Sequence, residues 1–185
     1  MNMIISAVSQ GLLWSILALG LFVSFRILDL ADMTTEGAFP LGAAVAVQAI
    51  TLGANPYIAI IFAIIAGSSA GLITGFLITK LQIPSLLAGI LTMTGLYSIN
   101  LRVMGRANIS LLGKNTIFTV FENMNLPRHF DTITLGLLVV VMIIGLYVIF
   151  FKTEFGQAVI ATGDNEAMAR SLGISTNTMK IVGLM

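Results

Sequence analysis

The stretch that decides the fold is ITLGLLVVVMIIGLYVIFF, residues 133–151, followed directly by KTEFGQAVIATGDNEAMARSLGISTNTMK, residues 152–180. The first part has no charged residue and is long enough to cross a bilayer, whose hydrocarbon core of about 30 Å needs roughly 20 helical residues. The second part is polar and leads into another apolar start, residues 181–185. The pattern predicts a membrane helix, a polar region in water, and a return towards the membrane.

The composition extends this prediction to the whole chain. Of the 185 residues, 57% are hydrophobic and 9% are charged, whereas about 25% charged residues is usual in a soluble domain. The net charge of +1 favours neither a nucleic acid partner nor a basic membrane-surface patch. The start of the chain has no Lys or Arg before its apolar run and no small-residue cleavage pattern. It therefore predicts a retained membrane helix rather than a cleaved signal peptide.

About five membrane segments are predicted. One of them, Ala38–Leu52, has roughly 15 residues and covers only about 22 Å. Pro40 and Gly42 near its start predict a short helix, broken or re-entrant, and a break at that depth is tolerated only beside protein or a water-filled cavity. The four clear spans are Ile4–Phe25, Tyr57–Ile78, Ile83–Ile99 and Ile133–Phe151. We therefore expect an all-α, polytopic membrane helix bundle that forms a single domain over residues 1–185.

The orientation is predicted from the basic residues. If residues 152–180, which contain a predicted cytoplasmic loop at residues 152–178, lie in the cytoplasm and the spans alternate, the basic residues divide almost evenly between the two sides. The inside set is Arg26, Lys80, Lys152, Arg170 and Lys180, and the outside set is Arg102, Arg106, Lys114 and Arg128. The absence of positive charge before the first span, with Arg26 directly after it, favours an external N-terminus.

An acidic cluster follows the first span. Asp29, Asp32 and Glu36 lie between two membrane segments, where carboxylates are costly enough to be rare without a function. One interpretation places these three carboxylates, with the hydroxyls of Thr34 and Thr35, at the mouth of a translocation path or on its gate, and Asp32, Thr35 and Glu36 are the residues assigned to it. In that interpretation Glu36 is the most enclosed, because apolar sequence resumes directly after it. The other interpretation is an interfacial loop whose carboxylates pair with Arg26 and water.

Small residues recur every fourth position in the Tyr57–Ile78 span. Ala63, Gly67, Gly71 and Gly75 belong to this row, and small residues at this spacing let helix backbones approach closely in lipid. The row indicates either a subunit or bundle interface close to a pore or ordinary packing within the bundle.

No catalytic residue, metal site or cofactor is predicted. Residues 67–71 fit G-x-S-x-G, but the hydrolase motif needs a strand–turn–helix context and a histidine partner. His129 is the only histidine, and too few potential ligands surround it for a metal site. The chain has no cysteine, which excludes thiolate chemistry and disulfides.

The polar region contains a short predicted helix. Asp164 is a suitable N-cap, since its side chain can accept backbone N–H groups and its charge suits the helix dipole. Gly173 supplies a left-handed stop. Two helical turns over Asn165–Leu172, bracketed by Gly163 and Gly173, follow from this pattern. A helix this short is unstable alone in water, so we expect it to pack on its own bundle or in the groove of a soluble partner.

The motif GQAVIATGDNEAMARSLGI, Gly156–Ile174, resembles the cytoplasmic coupling loop of bacterial ABC importer permeases of the branched-chain amino acid and ribose type. Upstream, LALGL at residues 17–21 and the acidic stretch at residues 29–44 are similar to that family's amino-terminal pattern. The acid-containing variant looks closest to a branch suspected of carrying amino acids such as tryptophan or tyrosine. Members of the family continue with further spans beyond the position of Met185, so we expect this chain to be an N-terminal fragment.

The resemblance implies a transport subunit rather than an enzyme. Two permease copies, identical or different, would form the pore in a bacterial inner membrane, and two cytoplasmic ABC ATPase subunits would hydrolyse ATP. An extracytoplasmic solute-binding protein would deliver an amino acid or related small solute, and the external loop Gly105–Asp131 would help to dock it. By the resemblance, the residues that couple to the ATPase are Gly156, Ala161, Gly163, Asp164, Ala167, Leu172 and Gly173.

Two alternatives remain open at this point. An ion-coupled secondary transporter would use Asp29, Asp32 and Glu36, although such proteins commonly have paired broken helices and only one interrupted segment is apparent. A purely structural membrane subunit is the other alternative, and the elaborate polar helix disfavours it.

Overall fold

All regular secondary structure in the described part of the chain is helical. The computed structural model describes residues 2–106, 109–111 and 130–185. Its elements are α1 (Asn2–Phe22), a π-helical turn (Val23–Ile27), α2 (Thr34–Thr51), α3 (Pro56–Thr79), α4 (Ser85–Met104), α5 (Phe130–Lys152), α6 (Glu154–Asp164), α7 (Glu166–Ser171) and α8 (Thr176–Leu184).

Four stretches are long and apolar enough to cross a membrane. They are Ile5–Ile27, Pro56–Thr79, Ser85–Met104 and Ile133–Lys152, and they match the four clear spans expected from the sequence. Many of their large apolar side chains are exposed on the chain, as a surface in contact with lipid requires. The prediction of an all-α, polytopic membrane bundle is confirmed.

The fifth segment differs from the prediction in where the chain is broken. α2 begins at Thr34, four residues before the predicted start, and runs without interruption through Pro40. A proline inside a helix removes one backbone hydrogen bond, and membrane helices tolerate that loss when neighbouring groups compensate. With 18 residues, α2 covers about 27 Å. The predicted break at Pro40 is therefore wrong in position.

The interruption lies at residues 28–33, before α2. The π-helical turn ends α1 at Ile27, and Asp29 then adopts a left-handed conformation with φ of 52°, which is uncommon for a residue other than glycine. Thr34, at the start of α2, contacts Thr74, five residues before α3 ends. The chain therefore leaves the bundle after α1, and α2 begins inside the bundle, beside the carboxyl-terminal part of α3.

Two apolar clusters hold the elements together. Leu41, Ala70 and Leu96 form the first and join α2 to α3 and α4. Leu28, Val159 and Met179 form the second and join the interruption to α6 and α8. α1 packs mainly against α5. The second cluster places the end of α1 on the same side of the bundle as the polar region, as the predicted alternation of spans requires.

Candidate functional site

Asp32 is the most enclosed carboxylate among the described residues. Its residue surface is 1% exposed, and its Oδ1 accepts hydrogen bonds from the Thr34 backbone N–H at 2.9 Å and from Thr34 Oγ1 at 2.5 Å. A carboxylate that accepts a free N–H group at the start of a helix satisfies that group and suits the helix dipole. Asp32 therefore stabilises the beginning of α2.

Buried threonine hydroxyls continue from Asp32 across three helices. Thr34 Oγ1 lies 2.7 Å from Thr74 Oγ1 of α3, and Thr74 Oγ1 lies 2.9 Å from Thr92 Oγ1 of α4. The Ala88 carbonyl oxygen lies 3.0 Å from Thr92 Oγ1 and is an alternative acceptor for its single hydroxyl proton. All of these threonines are buried, so the hydroxyl chain, here defined as Asp32, Thr34, Thr74 and Thr92, joins α2, α3 and α4 through neutral donors.

Gly89 allows α4 to press against the interruption. A Cβ atom at this position would lie 2.7 Å from the Met33 backbone nitrogen and 2.9 Å from Asp32 Oδ1, both closer than van der Waals contact permits. The neighbours are a backbone atom and a bonded carboxylate, which have little room to move. Gly89, Thr74 and Thr92 did not appear among the sequence-predicted site residues, although hydroxyls inside apolar spans are a signal that could have found the two threonines.

The predicted gate residues separate on α2. Thr35 Oγ1 is buried and has no hydrogen-bond partner in the described part of the chain. Glu36 is exposed, so the expectation that it is the most enclosed of the acids is wrong. Because successive helical residues turn by about 100°, Thr34 faces the hydroxyl chain whereas Glu36, two positions on, faces away from it. Asp29 and Arg26 are also exposed, and neither takes part in an ion pair with a described residue.

The row of small residues on α3 divides between two neighbours. A Cβ at Gly71 would overlap the Leu184 carbonyl oxygen, and one at Gly75 would lie 3.0 Å from the Ile181 Cα, so this part of the row receives α8. Ala63 faces Gly42 of α2, whereas a Cβ at Gly67 would meet no atom within 4 Å. Gly71 and Gly75 therefore serve packing within the chain.

α6 contacts the interruption directly. A Cβ at Gly163 would overlap the Ile27 carbonyl oxygen and lie 3.0 Å from the Leu28 Cα, so only glycine allows this approach. Gly156 at the start of α6 is similarly pressed against the backbone of Phe150 and Phe151. Both glycines were predicted to belong to a coupling element, and both lie where α6 meets the membrane-spanning part of the chain.

The capping of α7 differs from the prediction. Asp164 is the last residue of α6, and Asn165 is the N-cap of α7, its Oδ1 accepting from the Met168 N–H at 3.0 Å. Gly163 therefore lies inside a helix and does not bracket one. The reason is that α6 begins after its own N-cap, Thr153, and packs through the buried Val159. This helix therefore continues through Gly163, which the glycine pattern had placed between helices. Gly173 is left-handed with φ of 86°, as predicted.

Glu166 connects α7 to α8. Its carboxylate accepts from Lys180 Nζ at 2.7 Å, from Arg170 at 2.9 Å and from Thr176 Oγ1 at 3.2 Å. The hydrogen bond from Lys180 is the largest of the effects that lower the pKa of Glu166 below its ordinary value of 4.5. These contacts hold the short helix in place, which its own six residues could not do.

An apolar face of α7 remains open. Met168 of α7 is 61% exposed and Leu172, directly after α7, is 69% exposed. Ala167 of α7 and Asp164 at the end of α6 are exposed as well. Ala169 is buried against the chain, and Ala161 of α6 is half-buried. Of the residues assigned to coupling by resemblance, Asp164, Ala167 and Leu172 thus point outward, whereas Gly156 and Gly163 make contacts within the chain.

A family comparison decides the class of protein. The family described as the permease component of the branched-chain amino acid transport system matches residues 3–185. The chain belongs to this permease family. Family membership and the four apolar helices make it a multi-pass membrane protein. No solved structure matches the chain.

Relatives of this permease extend beyond the length of the present chain. A tyrosine transport system permease protein of Clostridioides difficile (strain R20291) is 40% identical over 185 residues, all of this chain and 60% of the relative. An uncharacterized protein of Rickettsia prowazekii (strain Madrid E) is 36% identical over 184 residues, 100% of this chain and 63% of the relative. The autoinducer 2 import system permease protein LsrC of Yersinia enterocolitica serotype O:8 / biotype 1B (strain NCTC 13174 / 8081) is 32% identical over 72% of this permease and 36% of its own length.

Part of the predicted outer surface of the permease is not described. His129, Lys114 and Arg128 lie outside the described residues, as does most of the predicted docking loop Gly105–Asp131. Within the described residues, no group of three or more His, Cys, Asp or Glu side chains is arranged to hold a metal ion.

Proposed function

We propose that this chain is the pore-forming permease part of an ATP-driven ABC importer in a bacterial inner membrane. It would carry a small solute, an amino acid or a related compound, and it would hydrolyse no ATP itself. The matched family and the relative named as a tyrosine transport permease support this proposal. The observation that carries it is the open apolar face of α7, on a segment anchored through Gly163 to the interruption before α2.

The proposed mechanism starts at the open face of α7. Ala167, Met168 and Leu172 would dock in a groove of a cytoplasmic ATPase subunit, since an exposed apolar face on a short helix is a recurrent mode of groove recognition. The ion pairs of Glu166 keep α7 joined to α8. Movement of the ATPase would therefore displace α7 together with the helices packed on it.

The displacement would reach the membrane through Gly163. Because α6 touches the Ile27 carbonyl without an intervening side chain, a shift of α6 must move the π-helical turn and the interruption after it. Asp32, buried at the end of that interruption, is bonded to the first residue of α2. The hydroxyl chain then links α2 to α3 and α4. A switch between outward-open and inward-open states needs contacts that differ between the states, and these contacts are suitable for that role.

The complete transporter would contain partners beyond the ATPase pair. A second permease copy would complete the pore, and an extracytoplasmic solute-binding protein would deliver the solute on the opposite side. Asp32, Thr35 and Glu36 would lie along or beside the translocation path, with Asp32 in a supporting position because it is buried among hydroxyls.

The test combines ATPase binding with uptake. We expect Leu172→Arg in the full-length permease, purified with candidate ABC ATPase subunits, to reduce ATPase association and ATP-dependent uptake of radiolabelled tyrosine by about tenfold or more, because a charge replaces an apolar anchor. Asn177→Arg is the matched control, since Asn177 is exposed in the same polar region but lies on α8, and it should leave both quantities unchanged.

Two results would contradict the proposal. Unchanged ATPase association in Leu172→Arg would show that α7 is not the docking element. Uptake driven by an ion gradient in the absence of any ATPase would favour the alternative of a secondary transporter that uses Asp29, Asp32 and Glu36.

A further inference from the structure

A cavity of about 410 Å³ opens between α2 and α4, on the side of α2 that faces away from the hydroxyl chain. We call it the α2–α4 cavity and define it by Glu36 and Pro40 on α2 and Met93, Tyr97, Asn100 and Met104 on α4. Its volume falls within the range of about 300–1,000 Å³ usual for small-molecule sites. It combines one carboxylate and one amide with walls that are mainly apolar.

The cavity begins beside the middle of α4 and extends to Met104, the last residue of that helix. A Cβ on Gly37 would lie 3.0 Å from the Met93 Cα and 3.1 Å from the Leu96 Cδ1, and these two residues flank the midpoint of the Ser85–Met104 helix. Glu36, adjacent to Gly37, therefore lies beside the middle of α4. An ionisable residue within a membrane-spanning bundle almost always faces the bundle interior or a water-filled cavity rather than lipid.

Two hydrogen-bond acceptors in the cavity lack donors. Asn100 Oδ1 is buried and has no hydrogen-bond partner among the described residues. Glu36 forms no ion pair within the described part of the chain. A buried polar atom without a partner calls for an explanation, such as an absent ligand. An ammonium group offers three donors and a positive charge and so matches an amide oxygen beside a carboxylate.

The remaining walls suit an apolar side chain. Met93 and Met104 provide flexible apolar surface, which adapts to ligands of different shape, and Tyr97 provides an aromatic ring that is 68% exposed. None of the described lining residues is basic. The cavity therefore accommodates a cationic group joined to an apolar or aromatic body, and the carboxylate of an amino acid would remain in the water of the pore.

We propose that the α2–α4 cavity binds the ammonium group and the side chain of an aromatic or large aliphatic amino acid during its passage. Glu36 and Asn100 accept from the ammonium group, and Tyr97 and the methionines contact the side chain. This inference rests on the proposed function, because it names the substrate class of the same permease. A second permease copy is the competing occupant of this surface.

The experiment measures binding to the permease without its solute-binding protein. Radiolabelled tyrosine is the probe, added to the purified full-length permease–ATPase complex, with tyramine and 3-(4-hydroxyphenyl)propionate as competitors. We expect tyramine to displace tyrosine and the propionate, which has no ammonium group, to fail. Glu36→Gln and Asn100→Leu should each weaken tyrosine binding by about tenfold or more, since a hydrogen bond to a charged group is lost or weakened.

Thr94→Val is the matched control in the same cavity. Thr94 also lines the cavity, but its hydroxyl bonds to the Ile90 and Leu91 carbonyls of its own helix. Its replacement should change tyrosine binding by less than about twofold. Because Glu36 is exposed, its substitution is expected to leave folding intact, which ATPase association in the same preparation verifies.

The outcomes separate this inference from the proposed function. Wild-type tyrosine binding that Glu36→Gln leaves unchanged, or displacement by the propionate, would overturn the inference while ATP-driven uptake still supports the importer. Efficient disulfide crosslinking between two copies of a Tyr97→Cys variant would show that a second permease covers the cavity, and would also overturn it. Tyrosine binding that depends on Glu36, without any ATP-dependent uptake, would support the inference and contradict the importer.

Discussion

Two carboxylates in this permease are held in opposite ways. Asp32, in the interruption between α1 and α2, is 1% exposed and accepts from a backbone N–H and a hydroxyl. Glu166, in the polar region, has a side chain 38% exposed and is paired with Lys180 and Arg170. Neutral donors hold the first acid, whereas opposite charges hold the second.

The difference shows what each environment requires. In the membrane-spanning region, a buried donor or acceptor that loses its hydrogen-bond partner costs about 1–3 kcal/mol. The hydroxyl chain therefore fixes the arrangement of three helices. In the polar region, water screens the charges, and exposed ion pairs contribute about 0–1 kcal/mol. The first region is therefore suited to specify the bundle, and the second to hold a surface helix that can still move.

The comparison is tested most severely at Asp32. Asp32→Ala leaves the Thr34 N–H and hydroxyl without an acceptor, and we expect it to destabilise the folded bundle by about 3 kcal/mol. Asp32→Asn keeps an oxygen at the same position and should cost about 1 kcal/mol or less. Thermal unfolding in detergent, followed by size-exclusion chromatography with fluorescence detection, measures both. Equal damage in the two variants would mean that the charge, and not the acceptor, matters at this position.

The next largest effect is expected at Gly89, which sets the distance between α4 and the interruption. Gly89→Ala places a Cβ 2.7 Å from the Met33 nitrogen, and α4 must move to accommodate it, at a cost of about 2 kcal/mol. Gly95→Ala on the same helix is the matched control, because a Cβ there meets no atom within 4 Å. In the same unfolding assay, Gly89→Ala should have a lower melting temperature than the wild type, and Gly95→Ala should not. Similar values for both variants would indicate that the approach of α4 is not tight.

The sequence was sufficient for the elements with a strong local signal. Long apolar runs identified the four spans, and Gly173 marked the end of α7. It was insufficient wherever distant residues determine the backbone. The interruption depends on Gly163 and Gly89, which lie far along the chain from Ile27 and Met33, so that Pro40, a strong local signal, gave the wrong position for the break.

The exposure of Glu36 was missed because the start of α2 was predicted four residues too late. Which side chains of a helix face inward depends on the residue at which the helix starts, and α2 starts at Thr34 because Asp32 bonds to its N–H there. Because the segment was predicted to start at Ala38, Thr34 and Glu36 lay outside the predicted helix, and the sides of α2 that they face could not be derived. The same local hydrogen bond, between residues two positions apart, therefore accompanies both the helix boundary and the different exposure of Asp32 and Glu36.

The smallest expected effect distinguishes the polar region by its response to pH. The folded state lowers the pKa of Glu166, chiefly through the hydrogen bond from Lys180. The resulting stabilisation is fully present above the ordinary pKa of 4.5 and is lost as the pH falls through the lower value of the folded state. Glu166→Gln removes the charge and should destabilise the contact between α7 and α8 by about 0.5 kcal/mol at neutral pH, after allowance for solvent screening.

Hydrogen exchange of the α7 and α8 amides measures this effect, with wild type and variant compared at matched pH so that the intrinsic exchange rate cancels. The difference in protection should be constant from neutral pH down to about 5 and disappear at lower pH. Lys180→Gln should reproduce the loss, since the Lys180 side chain is 16% exposed, whereas Arg170→Gln should have less effect because Arg170 is 64% exposed. If the difference in protection persists at low pH, the hydrogen bonds of the Glu166 side chain, rather than its charge, hold α7 against α8. Glu166 would then act as Asp32 does, through its hydrogen bonds.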